Sequence, residues 1–232
     1  MILAAGRGER MRPLTDRTPK PLLAVGGKPL IVWHIERLRA AGFSRIVINH
    51  AHLGHQIEDV LGNGAAFGVS IAYSREASAL ETAGGIATAL PLIESDVFPV
   101  VNGDIYCEYD LGRLAEPLAR LADSRDLAHL VLVDNPPHHP DGDFVLDGGR
   151  VKGAGAPLAH PARLTFSGIG VYRRALFAET AAGVKAPLAP LLRLAIDAGR
   201  VSGEHYGGRW EDVGTPVRLA ALDEELKQRH AA

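Results

Sequence analysis

Short apolar runs alternate along the chain with stretches in which apolar residues recur every three or four positions. The runs lie at 1–4, 46–48, 70–73, 98–101 and 130–133. Because their residues are apolar at consecutive positions, the runs predict strands that are covered on both faces, as in a parallel sheet. Between the first two runs, Ile31, Ile35 and Leu38 share one helical face, and Gly42 follows where a helix would end. The pattern therefore predicts a β-α-β unit.

The alternation continues, with helical patterns near 55–61, 84–93 and 111–122. This order predicts an α/β fold, a Rossmann-like doubly wound and mostly parallel sheet, which binds ligands at the carboxyl ends of its strands. After residue 134 the chain becomes rich in Gly and Pro, and the segment 164–172 predicts one more strand. Helical patterns return at 188–198 and 216–229. We expect a single domain over 1–232, whose second half adds a small β lobe.

Composition narrows the classes of function. The 232 residues are 47% hydrophobic with a formal net charge of −2, and no apolar run approaches the roughly 18 residues of a membrane span. The near-neutral charge gives no basic footprint for nucleic acid. Nothing after Met1 has the form of a secretory signal, and a single Cys107 suits a reducing compartment. We therefore expect a soluble cytoplasmic protein without nucleic-acid or membrane partners, as a monomer or small homo-oligomer.

The stretch "LAAGRGERMRPLTDRTPKPL" (3–22) begins within the first apolar run. Gly6 and Gly8 allow a tight turn whose backbone N–H groups point at an anion. Arg10 and Lys20 add fixed positive charge, and prolines on both sides of Lys20 favour an extended backbone. The spacing is neither a dinucleotide fingerprint nor a Walker A loop. It predicts a phosphate-binding loop of another kind.

This stretch resembles the signature L-x-x-G-x-G-T-R-L-x-P-L-T-x-x-x-P-K-x-L of the sugar-1-phosphate nucleotidylyltransferases. It departs at Glu9, where the family has threonine, and at Met11, where it has leucine. The resemblance implies a GT-A-like fold with a nucleotide-binding half, about 1–134, and a sugar-binding half, about 135–232. Arg10 and Lys20 would be catalytic and neutralise the triphosphate and departing pyrophosphate. The nucleotide-binding residues implied in this loop are Leu3, Ala4, Ala5, Gly6 and Gly8.

Two aspartates are candidate metal ligands. Asp104 in "VVNGDIY" follows an apolar run, and Asp212 lies in "WEDVGTP". Carboxylates, waters and phosphate oxygens suit Mg²⁺, although N-G-D alone is more often a turn. The family resemblance implies that Asp104 and Asp212 bind Mg²⁺ and that Asp104 is also catalytic.

The segment "EASALETAGGI" resembles the family's base-reading element, commonly Q/E-x-x-x-L-G-T-A. The resemblance implies that the Glu76 side chain meets the base, that the Glu81 backbone replaces the usual glycine, and that Gly85 belongs to the nucleotide site. A carboxylate only accepts hydrogen bonds, which disfavours cytosine and leaves uracil, thymine and guanine open. A simpler interpretation makes Glu76 an exposed loop acid.

The resemblance also implies a sugar site made of Asn102, Gly142, Asp143, Thr165 and Ser167. Where relatives have N-[TA]-G-I this chain has "FSGI", and the family's acidic E-K pair is absent. Segments across nearly the whole length resemble the branch that transfers UMP from UTP to N-acetylmuramic acid α-1-phosphate in peptidoglycan recycling. That sugar carries a lactyl carboxylate, for which the candidate partners are Arg163, His138, His139 and His205.

Several alternatives stay open. A thymidylyltransferase for glucose 1-phosphate or a guanylyltransferase for mannose 1-phosphate would share the phosphate and metal residues. A non-catalytic sugar-nucleotide-binding module is a third possibility, which the intact charged residues of the signature disfavour. The H-x-G-H string at 52–55 matches the phosphate-binding tetrad of a different nucleotidyltransferase fold, but it follows the second strand, not the first. No cysteine or acid completes a tetrahedral zinc set with these histidines.

Overall fold

The computed structural model describes residues 1–153 and 163–231, with side chains through residue 229. The helices are α1 (Leu30–Ala40), α2 (Gly54–Leu61), α3 (Glu81–Ala89), α4 (Ala115–Ala122), α5 (Leu188–Asp197) and α6 (Pro216–Ala231). The strands are β1 (Ile2–Leu3), β2 (Ala24–Val25), β3 (Lys28–Pro29), β4 (Arg45–His50), β5 (Ser70–Arg75), β6 (Val97–Asn102), β7 (Ile105–Cys107), β8 (Ala128–Val133), β9 (Phe144–Asp147), β10 (Arg150–Lys152), β11 (Arg163–Arg173), β12 (Val201–Tyr206) and β13 (Trp210–Asp212). Each apolar run that predicts a strand overlaps one of these strands.

Nine strands form one sheet in the order β5-β4-β1-β6-β11-β8-β12-β10-β9. The neighbours from β5 to β6 are all parallel, as the β-α-β pattern predicts. β11 runs antiparallel to β6, β8 and β9, and β12 returns parallel to β8. The sheet is therefore mixed, and strands from both halves of the chain belong to it.

Apolar clusters cover both faces of the sheet. One gathers Ile2, Ile48 and Val131 with residues of α1 and α2, and the other gathers Val100 and Leu130 with residues of α3 and α5. All six residues of β8 are buried, as expected of a strand packed on both faces. This two-sided burial fixes the sheet and leaves the carboxyl ends of its parallel strands free to carry polar groups.

Two small ribbons complete the fold beside the sheet. β7 pairs antiparallel with β13, and β2 pairs antiparallel with β3. A third apolar cluster, which includes Met11, Tyr106, Val213 and Leu222, packs α6 against both ribbons. The last helix thus ties the glycine-rich loop to the end of the β7–β13 ribbon.

Two helices differ from the sequence pattern at their ends. The pattern over 84–93 corresponds to α3, which starts three residues earlier, and to a 3-10 turn at Leu90–Leu92. Pro91 lies in that turn, and proline lacks the N–H group that would continue an α-helix. The pattern over 111–122 opens with a 3-10 turn, Leu111–Leu114, capped by Asp110. Within the described part of the chain, no helix is both long and apolar enough to traverse a bilayer.

Candidate active site

A cavity of about 810 Å³ opens at the carboxyl ends of β1, β4 and β6. Strand ends, the loop after β1 and the start of α3 meet there. Its wall is formed by Leu3, Ala4, Ala5, Gly6, Arg7, Gly8, Glu9, Arg10, Met11, Lys20, Pro21, Asn49, Ser78, Ala79, Glu81, Thr82, Asn102, Asp104, Lys185 and Gly214. The structure thus brings together every loop residue that the resemblance implies for the nucleotide.

The glycine-rich loop is held in one shape by its own contacts. Gly8 has φ of 62°, in the left-handed region, and its carbonyl accepts hydrogen bonds from Met11 N–H (2.8 Å) and Thr15 Oγ1 (2.8 Å). A Cβ on Gly8 would lie 2.9 Å from the Thr15 methyl group and 3.2 Å from Lys20 Cβ. Glycine is therefore required here by both the backbone angle and the packing. At Gly6 a Cβ would meet no protein atom within 4 Å.

Lys20 reaches the cavity floor from a 3-10 turn, Lys20–Leu22, that follows Pro19. Its side chain is only 7% exposed, and Nζ donates a hydrogen bond of 2.7 Å to Asp104 Oδ2. A buried ammonium group is costly unless it is paired. The pairing therefore fixes Lys20 at the carboxyl end of β6.

A second cavity, of about 380 Å³, adjoins the first. Arg10, Asn102 and Asp104 line both cavities. The remaining wall of the second cavity comes from Ile105, Pro136, His138, His139, Thr165, Phe166, Ser167, Trp210 and Asp212. Two ligands bound side by side would therefore meet at the three shared residues.

The β7–β13 ribbon places the two candidate metal ligands close together. Asp212 pairs with Ile105, the neighbour of Asp104, and the N–H of Val213 donates to the Asp104 carbonyl (3.2 Å). Asp212 Oδ2 accepts a hydrogen bond from Arg218 Nη1 (3.1 Å). Both carboxylates face the second cavity. In residues 1–153 and 163–229, no group of three or more His, Cys, Asp or Glu side chains is arranged to hold a metal ion.

His34 supports the same ribbon from the α1 side. It is buried, and its Nε2 lies 2.9 Å from the Ile105 carbonyl. Burial, together with the nearby Arg37 charge, lowers the pKa of His34 to about 4. The neutral ring donates this hydrogen bond at neutral pH, because a carbonyl oxygen can only accept. It thereby anchors the residue that follows Asp104.

Glu76 is placed differently from the expectation. It is buried below the cavity wall, where Oε1 accepts from Asn49 Nδ2 (2.7 Å) and Oε2 from the Leu80 N–H (2.9 Å). Asn49 Oδ1 in turn accepts from the Ala4 N–H (3.0 Å). Gly85 packs on the same group, since a Cβ there would lie 2.7 Å from Asn49 Nδ2. Glu76 and Gly85 thus connect α3 with β1 and β4, and Asn49, not Glu76, lines the cavity at this point.

Asn49 lines the cavity without having been predicted from the sequence, although the sequence contains a signal for it. It is a polar residue at the end of the second apolar run, as Asn102 is at the end of the fourth, and ligands of such sheets bind at these strand ends. Lys185, which also lines the first cavity, lies in the loop before α5. Nothing in the sequence around Lys185 marks it as a site residue.

The expected sugar residues divide into two groups. Asn102, Thr165 and Ser167 line the second cavity, where the register of β11 against β8 shifts between Phe166 and Ile169. Such bulges often lie beside active sites, because they re-aim side chains. Ser167 Oγ donates to the Val131 carbonyl (2.7 Å) and accepts from the Ile169 N–H (3.1 Å). Its hydroxyl group therefore stabilises the bulge.

Gly142 and Asp143 are not on that cavity wall. Asp143 Oδ2 accepts from the Phe166 N–H (2.8 Å), and Oδ1 lies 3.1 Å from His139 Nε2. A Cβ on Gly142, which has φ of 58°, would lie 2.6 Å from Asn135 Oδ1. Both residues therefore shape the turn that carries His139.

Of the four candidate partners for a sugar carboxylate, His138 and His139 line the second cavity. His138 Nε2 also lies 2.6 Å from Arg218 Nη1 and 3.5 Å from Asp212 Oδ2. The other two candidates line neither cavity. His205 pairs with Asp134 (2.9 Å), and Arg163 Nη2 donates to the Asp143 carbonyl (3.3 Å).

This fold and site define a nucleotidyltransferase. The family model described as "Nucleotidyl transferase" matches residues 1–153, and the chain belongs to that family. It is therefore an enzyme of the transferase class, as the sequence predicts.

Two relatives are similar to this chain over nearly its whole length. The chain is 56% identical over 222 residues to N-acetylmuramate alpha-1-phosphate uridylyltransferase of Neisseria meningitidis serogroup B, which covers 94% of each chain. It is 32% identical to the protein of that name from Caulobacter vibrioides, over 98% of this chain and 96% of that one. Among solved structures, a Bacillus anthracis protein described as a glucose-1-phosphate thymidylyltransferase matches with a TM-score of 0.81 at 23% identity, over 97% of this chain and 94% of that one. At that identity the likeness shows the fold alone.

Proposed function

We propose that this enzyme transfers UMP from UTP to N-acetylmuramic acid α-1-phosphate, giving UDP-N-acetylmuramic acid and pyrophosphate, and that it does so in cell-wall sugar recycling. The observation that carries the proposal is the pair of adjoining cavities that share Arg10, Asn102 and Asp104. A nucleotide in the larger cavity and a sugar phosphate in the smaller one would bring their reacting phosphates to this shared wall. The similarity to the two named uridylyltransferases supports the choice of substrates.

The reaction needs positioning and charge more than acid or base catalysis. An oxygen of the sugar phosphate attacks the α-phosphorus of UTP in line, and the bond to the β-phosphate oxygen breaks. The nucleophile is already ionised at neutral pH, because the second pKa of a phosphate monoester is about 6. Holding two anions together and stabilising the leaving pyrophosphate must therefore supply most of the rate enhancement.

The loop after β1 and its cationic side chains are suited to that task. Backbone N–H groups around Gly6 and Gly8 would cradle the triphosphate. Arg10 lines both cavities, so its guanidinium can contact phosphate oxygens of both substrates. Lys20, fixed by Asp104, places an ammonium group beside the departing pyrophosphate.

Asp104 and Asp212 fit a magnesium site. Both carboxylates line one cavity at the end of the β7–β13 ribbon, and Mg²⁺ in nucleotide enzymes takes one or two carboxylates and fills its shell with waters and phosphate oxygens. When bound, Mg²⁺ would neutralise charge on the phosphates. Arg218 and Lys20, which contact these carboxylates, hold them in place.

The second cavity is suited to an anionic sugar. His138 and His139 lie on its wall with Arg10. Arg10 can donate N–H groups to a carboxylate, and so can each imidazole when its N–H is not held by Asp212 or Asp143. N-acetylmuramic acid differs from N-acetylglucosamine by a lactyl ether that carries such a group. We assign the lactyl group to the side of the cavity that these histidines form.

The experiment that tests the proposed substrates measures pyrophosphate release with Mg²⁺. It uses UTP, dTTP, GTP and CTP, each combined with the 1-phosphates of N-acetylmuramic acid, N-acetylglucosamine, glucose and mannose. We expect the highest kcat/KM for UTP with N-acetylmuramic acid 1-phosphate. A preference for dTTP with glucose 1-phosphate, or for GTP with mannose 1-phosphate, would overturn the substrate assignment. No release from any pair would favour a binding module.

We also propose a cytoplasmic location. The single Cys107, which is buried, agrees with a reducing compartment.

A further inference from the structure

Glu81 has an unusual backbone for its residue type. It opens α3 with φ of 59°, in the left-handed region, and Leu53 is the other non-glycine residue with positive φ in the described ranges. Side chains with a Cβ disfavour this region, and residues held there against their preference cluster at functional sites. Glu81 also lines the nucleotide cavity. Its conformation therefore needs an external constraint.

Lys185 supplies a contact that would provide such a constraint. Its Nζ lies 3.2 Å from Glu81 Oε1, and both side chains line the same cavity. The backbone around Lys185 is fixed on α3, because the Ala186 N–H donates to the Leu80 carbonyl (3.0 Å). The ion pair thus joins Glu81 to a segment whose backbone is itself held in place, so a change in the Glu81 conformation would break the pair.

The same docking leaves two N–H groups free at the start of α3. The Ala186 carbonyl accepts from the N–H groups of both Ala83 and Gly84, each at 3.0 Å. Among the described residues, no group accepts from the N–H of Glu81 or Thr82, and both residues lie on the cavity wall. The first N–H groups of a helix have no partner within the helix and suit an acceptor on a ligand.

We infer that Lys185 is a positioning residue for the nucleotide: its ion pair with Glu81 holds residue 81 in the left-handed conformation that aims the first N–H groups of α3 at a carbonyl-bearing base. The inference deepens the proposed function and rests on it for the identity of the nucleotide. Lys185 acts here through Glu81 and not by contacting the phosphates. Glycine at position 81 would adopt this conformation without help.

That difference permits a double-mutant test. The dissociation constant of UTP is measured by calorimetry with Mg²⁺ for the wild type, Lys185→Met, Glu81→Gly and the double variant. An exposed ion pair limits the effect, so Lys185→Met should weaken UTP binding about three- to fivefold. In the Glu81→Gly background the same substitution should change the dissociation constant less than about twofold, since glycine no longer needs the pair.

Kinetics separate positioning from a general structural effect. Lys185→Met should raise KM for UTP by the same factor and leave kcat and KM for the sugar 1-phosphate unchanged. Lys227→Met is the matched control, because Lys227 forms an exposed ion pair with Asp223 on α6. It should alter neither the dissociation constant nor KM.

Two results would overturn the inference. Equal losses from Lys185→Met in both backgrounds would show that Lys185 contacts the nucleotide itself, and an unchanged dissociation constant in both would show that the pair has no role. A wild type that binds UTP but releases no pyrophosphate would overturn the proposed function and leave the calorimetric test intact. A wild type that binds no nucleoside triphosphate would overturn both.

Discussion

Lys20 and Asp104 form an ion pair at the point where the two cavities meet, with a buried ammonium group, a partly exposed carboxylate and 2.7 Å between Nζ and Oδ2. They are 84 residues apart in sequence. The pair joins the segment after the glycine-rich loop to the end of β6. It therefore fixes the position of the ammonium group relative to the Asp104 carboxylate.

The first prediction concerns Asp104. Asp104→Asn keeps the size of the side chain and removes its charge, which weakens the hold on Lys20 and removes a proposed magnesium ligand. We expect kcat for pyrophosphate release to fall by about 100-fold or more. Asp197→Asn, at the exposed end of α5, is the control and should keep the wild-type rate. A near-wild-type rate in Asp104→Asn would remove Asp104 from the catalytic residues.

Metal dependence tests Asp212. Chelation of divalent ions should abolish pyrophosphate release by the wild type, and added Mg²⁺ should restore it. Asp212→Asn should raise the Mg²⁺ concentration for half-maximal rate by about tenfold or more, because one carboxylate ligand is lost. If the magnesium titrations of wild type and variant coincide, Asp212 is not a ligand.

The two glycines of the loop should respond differently to alanine. Gly8→Ala should lower the free energy of unfolding by about 1–2 kcal/mol, because Gly8 has a left-handed φ and a close neighbour in Thr15. Gly6→Ala should leave the unfolding free energy within about 0.5 kcal/mol of wild type. Its methyl group meets no protein atom, so it should instead weaken UTP binding about tenfold by filling the phosphate cradle. Urea denaturation measures the unfolding free energy, and calorimetry measures UTP binding. A loss of stability in Gly6→Ala with none in Gly8→Ala would contradict the assignment.

A fourth prediction concerns pH and Glu58 on α2. Arg75 donates two hydrogen bonds to this carboxylate (2.7 and 2.6 Å) and His50 lies 2.7 Å away. The Arg75 hydrogen bonds are the main reason that the pKa of Glu58 falls from 4.5 to about 2. A carboxylate with a depressed pKa in the folded state stabilises the fold above its unfolded pKa, and this contribution is lost as pH falls through the folded value.

Glu58→Gln should therefore lower the free energy of unfolding at pH 7 by about 1 kcal/mol, a small value because Arg75 is largely exposed. The difference between variant and wild type should shrink progressively as pH falls from about 4.5 toward 2. Urea denaturation at pH 7, 5, 4 and 3 measures it. Glu116→Gln, in an exposed pair with Arg120, is the control at pH 7. A difference that grows on acidification would contradict the assignment.

Much of the fold and part of the site could be predicted from the sequence, because they depend on local pattern. Consecutive apolar residues predict the strands, and glycines, prolines and basic residues within one short stretch predict the loop that lines the larger cavity. The side-chain environment of Glu76 was not accessible in this way. Its partners, Asn49 and the Leu80 N–H, come from β4 and the turn before α3, and only tertiary packing shows that both carboxylate oxygens are engaged.

Contacts between distant segments account for the remaining differences. Lys185 lies about a hundred residues after Glu81, and no spacing rule connects a loop lysine to a helix start that far away. Gly142 and Asp143 have the composition of a ligand-binding turn, yet the Phe166 N–H and His139 engage the Asp143 carboxylate. Residue type alone does not distinguish a group that binds a ligand from one that shapes the wall behind it.

The wall shared by Arg10, Asn102 and Asp104 determines how the enzyme could be redesigned. A substitution at any of these three residues alters both cavities together, so selectivity for one proposed substrate cannot be varied there independently. Residues that line only one cavity, such as Thr82 in the larger one and Phe166 in the smaller one, permit separate variation. Libraries restricted to these one-sided positions would change the sugar nucleotide that is made and leave the phosphoryl chemistry in place.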